Sequence, residues 1–304
     1  MIGVGTARSL AAIGFVGWAC VTSAAVQATD DSGATVTINA PARRIVSLAP
    51  HATELLFAAG GGDSVVGVVD TSDWPPEART RPRVGDARAL DLERIVALDP
   101  DLVVTWPYTA PAQVERLRAR GIAVFMTDPK TIDGIAIDLE RLGTLLGTEM
   151  HARPAAERFR RHLAQLRGTN AGKRSVSAFY EIWPSPLFTI GGAHLITQAL
   201  TVCGGTNVFA ALGLPAPMVS VEAVLAAAPE AIIAAGDDGL RPEWLDEWKR
   251  WPLLPAVARS NLLVVDGNLL HRAGPRFLDG ADQLCAALDA VRQRRVDVPP
   301  EAKR

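Results

Sequence analysis

The chain is poor in net charge, in aromatic residues, in cysteine and in long apolar runs, and each shortage removes a class of function. Lysine and arginine number 31 against 33 aspartate and glutamate, a formal charge of −2, and the arginines are scattered instead of striped along one face. That distribution lacks the basic field on which nucleic-acid binding depends. The apolar run at residues 10–21 falls short of the ~20 residues a membrane-spanning helix needs. There is no G-x-S-x-G and no H-E-x-x-H, and no P-loop lysine follows Gly60-Gly61-Gly62, which reads as a helix end. The common hydrolase, metalloprotease and nucleotidase signatures are therefore missing.

The five histidines, His51, His151, His162, His194 and His271, show no paired spacing, which argues against a dedicated zinc or manganese receptor. His51 and His271 each follow a strand, where a loop lining a cleft would begin, whereas His151 and His162 fall on a charged helix. Aromatics make up only 6% of the chain, yet Trp74, Trp106, Tyr108, Trp183, Phe188 and Trp251 fall mainly at or just after strand ends. Such placement suits a cleft for a large, flat or amphipathic ligand, or ordinary rim packing.

Residues 1–28 have the form of a cleaved secretory leader. Arg8 lies in a basic start, the apolar run follows, and Val26-Gln27-Ala28 satisfies a small-x-small cleavage rule. Cys20 lies inside the run, in the poor lipidation context Gly17-Trp18-Ala19. Loss of the leader leaves Cys203 and Cys285 in an exported, oxidising setting, where they form either a disulfide or two buried thiols.

At 304 residues the chain exceeds the size at which single cores usually split. Short branched apolar runs (44–50, 65–69, 102–105, 122–126) alternate with helical stretches (54–59, 92–98, 113–120, 132–146), the pattern of a parallel α/β sheet. The plan then repeats, with strands over 176–182, 231–235 and 262–265 and helices over 195–202, 221–227, 244–250 and 280–291. The clearest internal match sets DLERIVALDPDLVV (91–104) against SVEAVLAAAPEAII (220–233), so that Glu93 falls on Glu222 and Pro100 on Pro229. Between the halves lies a charged helix with a narrow apolar stripe of Phe159, Leu163 and Leu166. Pro154 places the start of its straight part near Arg153. The expectation is an α/β protein of two Rossmann-like lobes with parallel sheets, 29–146 and 169–304. One long α-helix, 147–168, joins them without belonging to either. The ligand cleft lies between the lobes, at the carboxyl ends of the strands.

The segments RIVSLAP, TSDWPP, DLERIVALDPDLVVTW, PLFTIGG, VCGGTNVF, SVEAVLAAAPEAII and LLHRAGPR occur in this order. They resemble the periplasmic substrate-binding proteins of the helical-backbone class, in particular the cobalamin-binding branch that serves ABC transporters. The resemblance spans about residues 43–291. It implies a monomeric carrier, not an enzyme, that needs no cofactor or bound metal of its own and delivers a corrinoid to an ABC permease dimer with its ATPase. Position by position it implies ligand contacts at Trp106, Phe188, Arg272 and the Pro50-His51 loop, permease docking at Glu93 and Glu222, and a Cys203–Cys285 disulfide. The chain departs from the branch at Thr71, where a tyrosine is expected, at Ala87 and Ala216, where tryptophans are, and at Asn268, where an aspartate is. Thr71 and Asn268 remain expected ligand contacts. Two rivals stay open: a haem or ferric-siderophore receptor of the same class, with His51 or Tyr108 near iron, and an enzyme on a two-lobed α/β scaffold.

Overall fold

The computed structural model describes residues 25–86, 89–236 and 240–296. Residues 1–24 of the expected leader, Cys20 among them, and Ala87 lie outside this set. Among the described residues no helix is long and apolar enough to cross a membrane.

The described chain opens with an antiparallel hairpin of β1 (Val26–Thr29) and β2 (Thr35–Ile38), in which Val26 pairs with Ile38 and Thr29 with Thr35. Asp30 Oδ1 accepts from the backbone of Ser32 and Ala34 to hold the turn. Val26, Gln27 and Ala28, which the sequence assigns to the leader, are thus paired in a strand.

The first lobe follows as β3 (Ile45–Ser47), α1 (Pro50–Ala58), β4 (Val65–Val68), α2 (Leu92–Ala97), β5 (Leu102–Thr105), α3 (Pro111–Arg118), β6 (Ala123–Met126) and α4 (Ile132–Leu146). Its four strands are all parallel, in the order β4-β3-β5-β6. Because helices cover both faces, the strands carry apolar residues without alternation, as the short runs require. Val46, Val103 and Val124 pack beneath Ile95 of α2 and Val114 and Leu117 of α3, and Ile45, Leu102, Val104 and Phe125 face α1 and α4. Asp91 caps α2 and Thr131 caps α4, each by accepting a backbone N–H, and Gly147 ends α4 at φ 64°.

α5 (Glu149–Asn170) then spans 22 residues, about 33 Å. It begins before Pro154, which sits inside the helix on its exposed face, so the carbonyl that loses its partner there can turn to water. Unlike a free-standing linker, α5 is packed into a core common to both lobes. Ala152, Ala156, Phe159 and Leu163 are buried in one apolar cluster with Leu142 and Leu146 of α4 and with Leu284 and Leu288 of the last helix. Contact with α4 is close: a Cβ on Gly143 would lie 2.2 Å from that of Ala152.

The second lobe contains β7 (Val176–Pro184), β8 (Leu187–Thr189), α6 (Leu195–Val202), β9 (Gly205–Asn207), α7 (Val221–Ala227), β10 (Ala231–Gly236), α8 (Pro255–Ala258), β11 (Leu262–Asp266), α9 (Gly267–Leu270) and α10 (Phe277–Val296). Its sheet runs β11-β10-β7-β8, with β9 beside the start of β7, and all pairs are parallel except β7 with β8. The short strands β8 and β9 are additions to the sequence-based plan. The helix expected over 244–250 is a 3₁₀ helix, Glu243–Arg250, whose buried Leu245 and Trp248 stand three residues apart, the spacing that eclipses side chains in a three-residue turn.

Cys203, at the end of α6, is bonded to Cys285 of α10 across 82 residues, which resolves the choice between a disulfide and two thiols. Closing a loop of that length restricts the unfolded chain by on the order of 4 kcal/mol. A variant with both cysteines changed to serine should lose about that much in urea unfolding, and the unreduced wild-type protein, once denatured, should react with no thiol reagent at these two positions.

Candidate functional site

Parallel strands aim their carboxyl ends the same way, so each lobe presents its loops to the other. β3 leads to Pro50 and His51 at the start of α1, β5 to Trp106 and Tyr108, and β6 to the stretch 127–130. From the second lobe come His194 before α6, Trp183 at the end of β7, and Asn268, His271 and Arg272 beyond β11. Two adjoining cavities share His271, the first lined from both lobes and the second by the second lobe alone. One, of about 530 Å³, is lined by His51, Trp106, Tyr108, Lys130, His194 and His271, among others. The other, of about 590 Å³, includes Trp183, Arg241, Trp244, Asn268, His271 and Arg272 in its wall.

The first cavity is aromatic; its His51 and His194 are neutral at neutral pH, and Lys130 and Asp128 pair with each other in its wall. His51 is buried, with its ring tilted over Trp106 at 5.5 Å between centroids, and Trp106 meets the edge of Tyr108 at 4.8 Å. Burial pushes the His51 imidazole down to about 4, against the opposing effect of its hydrogen bond to the Thr127 backbone. Burial, helped by the nearby His271, lowers His194 to about 4 as well, and His194 Nδ1 accepts from the Ile196 N–H to cap α6. His271 Nε2 lies 3.0 Å from the Tyr180 hydroxyl, which burial keeps protonated. Trp106 Nε1 is buried and has no hydrogen-bond partner among the described residues. Unfolded histidines titrate near 6.5, above these folded values. The stability His51 and His194 contribute is therefore full above pH 6.5 and is lost as pH falls from there toward 4.

Beside the second cavity, charged groups pair across the lobes. Glu54 of α1, its side chain only 2% exposed, accepts from Arg276 at 2.6 and 3.0 Å and from Arg272 at 3.3 Å. Arg272 also donates to Asp73 at 2.5 Å and to Asn268 at 2.9 Å, and Arg276 stacks over the Trp74 ring at 4.5 Å. Burial raises the Asp73 carboxyl, but the hydrogen bond and charge of Arg272 outweigh it and hold the group below the usual carboxylate range. This bridge joins the lobes. Arg272 lines the second cavity with its two terminal nitrogens held by Glu54, Asp73 and Asn268.

Of the expected contacts, His51 and Trp106 line one cavity and Asn268 and Arg272 the other. Pro50 is the first residue of α1 and lines neither. Thr71 is exposed outside both cavities, and Phe188 lies on β8, bridged to Met218, and also outside them. Ala216 is exposed beside Pro215, a wall residue of the first cavity. Glu93 and Glu222 are exposed and occupy the same place in α2 and α7, two residues after the capping Asp91 and Ser220. Hydrogen bonds from its own backbone N–H and from Ser220 hold the Glu222 carboxyl below its usual range. Lys130, His194, Arg241 and Trp244 were not singled out from sequence as wall residues, nor was the Glu54 bridge. The bridge did leave one sign: Glu54 is the lone acid in the otherwise apolar PHATELLFA of α1, and a charge buried there requires a partner.

The periplasmic binding protein family matches residues 45–269, and the chain belongs to it. Its relatives include the vitamin B12-binding protein of Vibrio campbellii, 34% identical over 262 residues that cover 84% of this chain and 93% of that protein. Among solved structures it is similar to the periplasmic vitamin B12 binding protein BtuF of Vibrio cholerae, at TM-score 0.75 and 34% identity over 83% of this chain and 98% of that one. It is also similar to the periplasmic heme-binding protein RhuT from Roseiflexus sp. RS-1, at TM-score 0.73 and 25% identity over 82% of this chain and 98% of that one.

Breaking a buried pair by removing one partner leaves a charge uncompensated and costs about 3 kcal/mol or more. The substitution Glu54→Ala, which strips Arg276 of its carboxylate partner and leaves Arg272 with Asp73 and Asn268, should lower the urea-unfolding free energy by about that amount. A loss below 1 kcal/mol would show that the bridge does not brace the lobes.

Proposed function

We propose that the protein captures cobalamin or a related corrinoid between its lobes in the periplasm and passes it to an ABC permease dimer driven by its ATPase. The observation that carries this reading is the likeness to vitamin B12-binding proteins over most of the chain, at an identity that the heme-binding neighbour does not reach. The site chemistry agrees with it. A corrinoid is a broad apolar ring edged with amides, and the adjoining cavities offer indole faces from Trp106, Trp183 and Trp244 with donors at Lys130, Arg241 and Trp106 Nε1.

Ligand contact is assigned to His51, Trp106 and Asn268, with Arg272 holding Asn268 in place. Thr71, Ala87 and Ala216 supply no aromatic wall, so the cleft grips by fewer stacked faces. The protein works as a monomeric carrier without catalysis of its own. The leader is cleaved upstream of Val26, because a cut after Ala28 would strip β2 of its partner. Glu93 and Glu222, exposed at matching helix starts, dock one on each half of the permease dimer. A haem receptor is the competing reading, favoured by the three imidazoles of one cavity.

Parallel calorimetric titrations with cyanocobalamin, cobinamide and haemin separate these readings. Corrinoid binding is expected, and Trp106→Ala should weaken it on the order of tenfold. Tight haemin binding with neither corrinoid detectable would overturn the assignment. The double variant Glu93→Ala, Glu222→Ala should keep corrinoid affinity and abolish uptake by cells expressing the transporter, whereas a large loss of affinity would refute the docking role.

A further inference from the structure

We propose that the hairpin of β1 and β2 is a strap that sets one wall of the first cavity, with Asp31 as the residue that positions it. The inference rests on the corrinoid reading for its ligand, and it gives a part in binding to a residue that lines neither cavity.

The wall is the stretch 127–130, four consecutive residues of the lining. It follows β6, the end strand of the order β4-β3-β5-β6, and runs to α4 with Pro129 in its midst. An edge strand turns every second backbone group away from its sheet, where it needs another partner. Thr127 donates its N–H inward, to the Thr105 carbonyl of β5 at 2.9 Å, so Met126 and Asp128 turn theirs outward. There the hairpin meets them. Asp30 Oδ2 accepts from the Met126 N–H at 3.1 Å, the Met126 carbonyl accepts from the Asp31 N–H at 3.0 Å, and Asp31 Oδ2 accepts from the Asp128 N–H at 2.6 Å. The other end of the stretch is held from the second lobe, where Gln198 of α6 donates to the Lys130 carbonyl at 2.8 Å and accepts from the Ile132 N–H at 3.2 Å.

Asp31 is itself fixed. Its Oδ1 accepts at 2.7 Å from Arg141 Nη1 of α4, which also donates to Asp138 at 3.2 Å, and Asp138 accepts from the Thr127 hydroxyl at 2.7 Å. Two carboxyl groups thus meet one guanidinium nitrogen. Asp138 is wholly buried, and burial first, then the charge of Asp31, push its carboxyl up to about 8 against the opposing effects of Thr127 and Arg141. At neutral pH Asp138 therefore keeps its proton, and Asp31 supplies the negative charge that Arg141 answers. The charge-assisted bond from Asp31 to the Asp128 N–H fixes the backbone of the residue whose side chain pairs with Lys130 in the wall. A binding site whose supporting residues are loose grips its ligand less well.

The test joins calorimetry with amide hydrogen exchange on the whole mature protein, with cyanocobalamin as the probe. Asp31→Ala and Asp31→Ser, each shown by circular dichroism to be folded, should bind it on the order of tenfold more weakly. In both, the Asp128 amide should exchange on the order of tenfold faster, while the Met126 amide, held by Asp30, keeps its wild-type rate. Asp138→Asn preserves a neutral group of the same shape and should bind like wild type. Wild-type affinity in a folded Asp31 variant, or unchanged exchange at Asp128, would overturn the proposal. A loss in Asp138→Asn as large as that in Asp31→Ala would also overturn it, by moving the positioning charge to Asp138. Failure of the wild-type protein to bind either cyanocobalamin or cobinamide would overturn the corrinoid reading instead, and the exchange rates would still decide whether Asp31 holds the wall.

Discussion

The buried carboxylate of Glu54 is the constraint on which the cleft depends. It leaves water on one lobe and is satisfied only by Arg272 and Arg276 of the other, so the relative placement of the lobes is written into its hydrogen bonds. Desolvating a carboxylate is expensive, and here three hydrogen bonds, two of them bidentate from Arg276, offset that expense. Arg276 is fixed in turn by Trp74, and Arg272 by Asp73 and Asn268. Behind this bridge the apolar core runs without a break from α1 and α4 through α5 to α6 and α10. A stiff helix buried along that core cannot flex as paired extended strands do, so the cleft is formed before its ligand arrives.

The same architecture determines the character of the walls. Parallel strands buried on both faces leave polar and aromatic chemistry only at their carboxyl ends, and both lobes point those ends at one another. The buried imidazoles of His51 and His194 are thereby kept neutral, Asp128 and Lys130 pair in the wall of the cavity that holds Trp106, and Glu54, Asp73, Arg272 and Arg276 pair across the lobes. An aromatic chamber whose Lys130 and Asp128 pair with each other suits a large, mostly neutral ring edged with amides better than a small anion.

Much of the fold was legible because it rests on local rules. Branched apolar runs gave the parallel strands, the stripe at Phe159, Leu163 and Leu166 gave the buried face of α5, and the internal match placed Glu93 and Glu222 at equivalent positions in α2 and α7. What escaped were features decided by distant partners. β8 and β9 are three-residue strands that exist only because β7 is long enough to pair on both sides, and no periodicity can form over three residues. The 3₁₀ helix shares the sequence signature of a short α-helix. In the site, the strand-end rule pointed to His51, Trp106 and Arg272, which line the cavities, whereas Asn268 came only from the family resemblance. It could not see that Arg272 would be consumed by Glu54 and Asp73, about 200 residues earlier in the chain, or that Phe188 would stay on the sheet edge. Long-range ion pairs leave only an unpaired-looking charge in an apolar helix, and Glu54 was that trace.

The central claim is a preformed cleft braced by Glu54, and a crystal structure of the protein with cyanocobalamin bound tests it most directly. The account predicts the corrin between the lobes against Trp106, with Glu54 still hydrogen-bonded to Arg272 and Arg276 and the lobes placed as they are without ligand. A corrinoid seated elsewhere, or lobes rotated so that Glu54 has parted from both arginines, would contradict it.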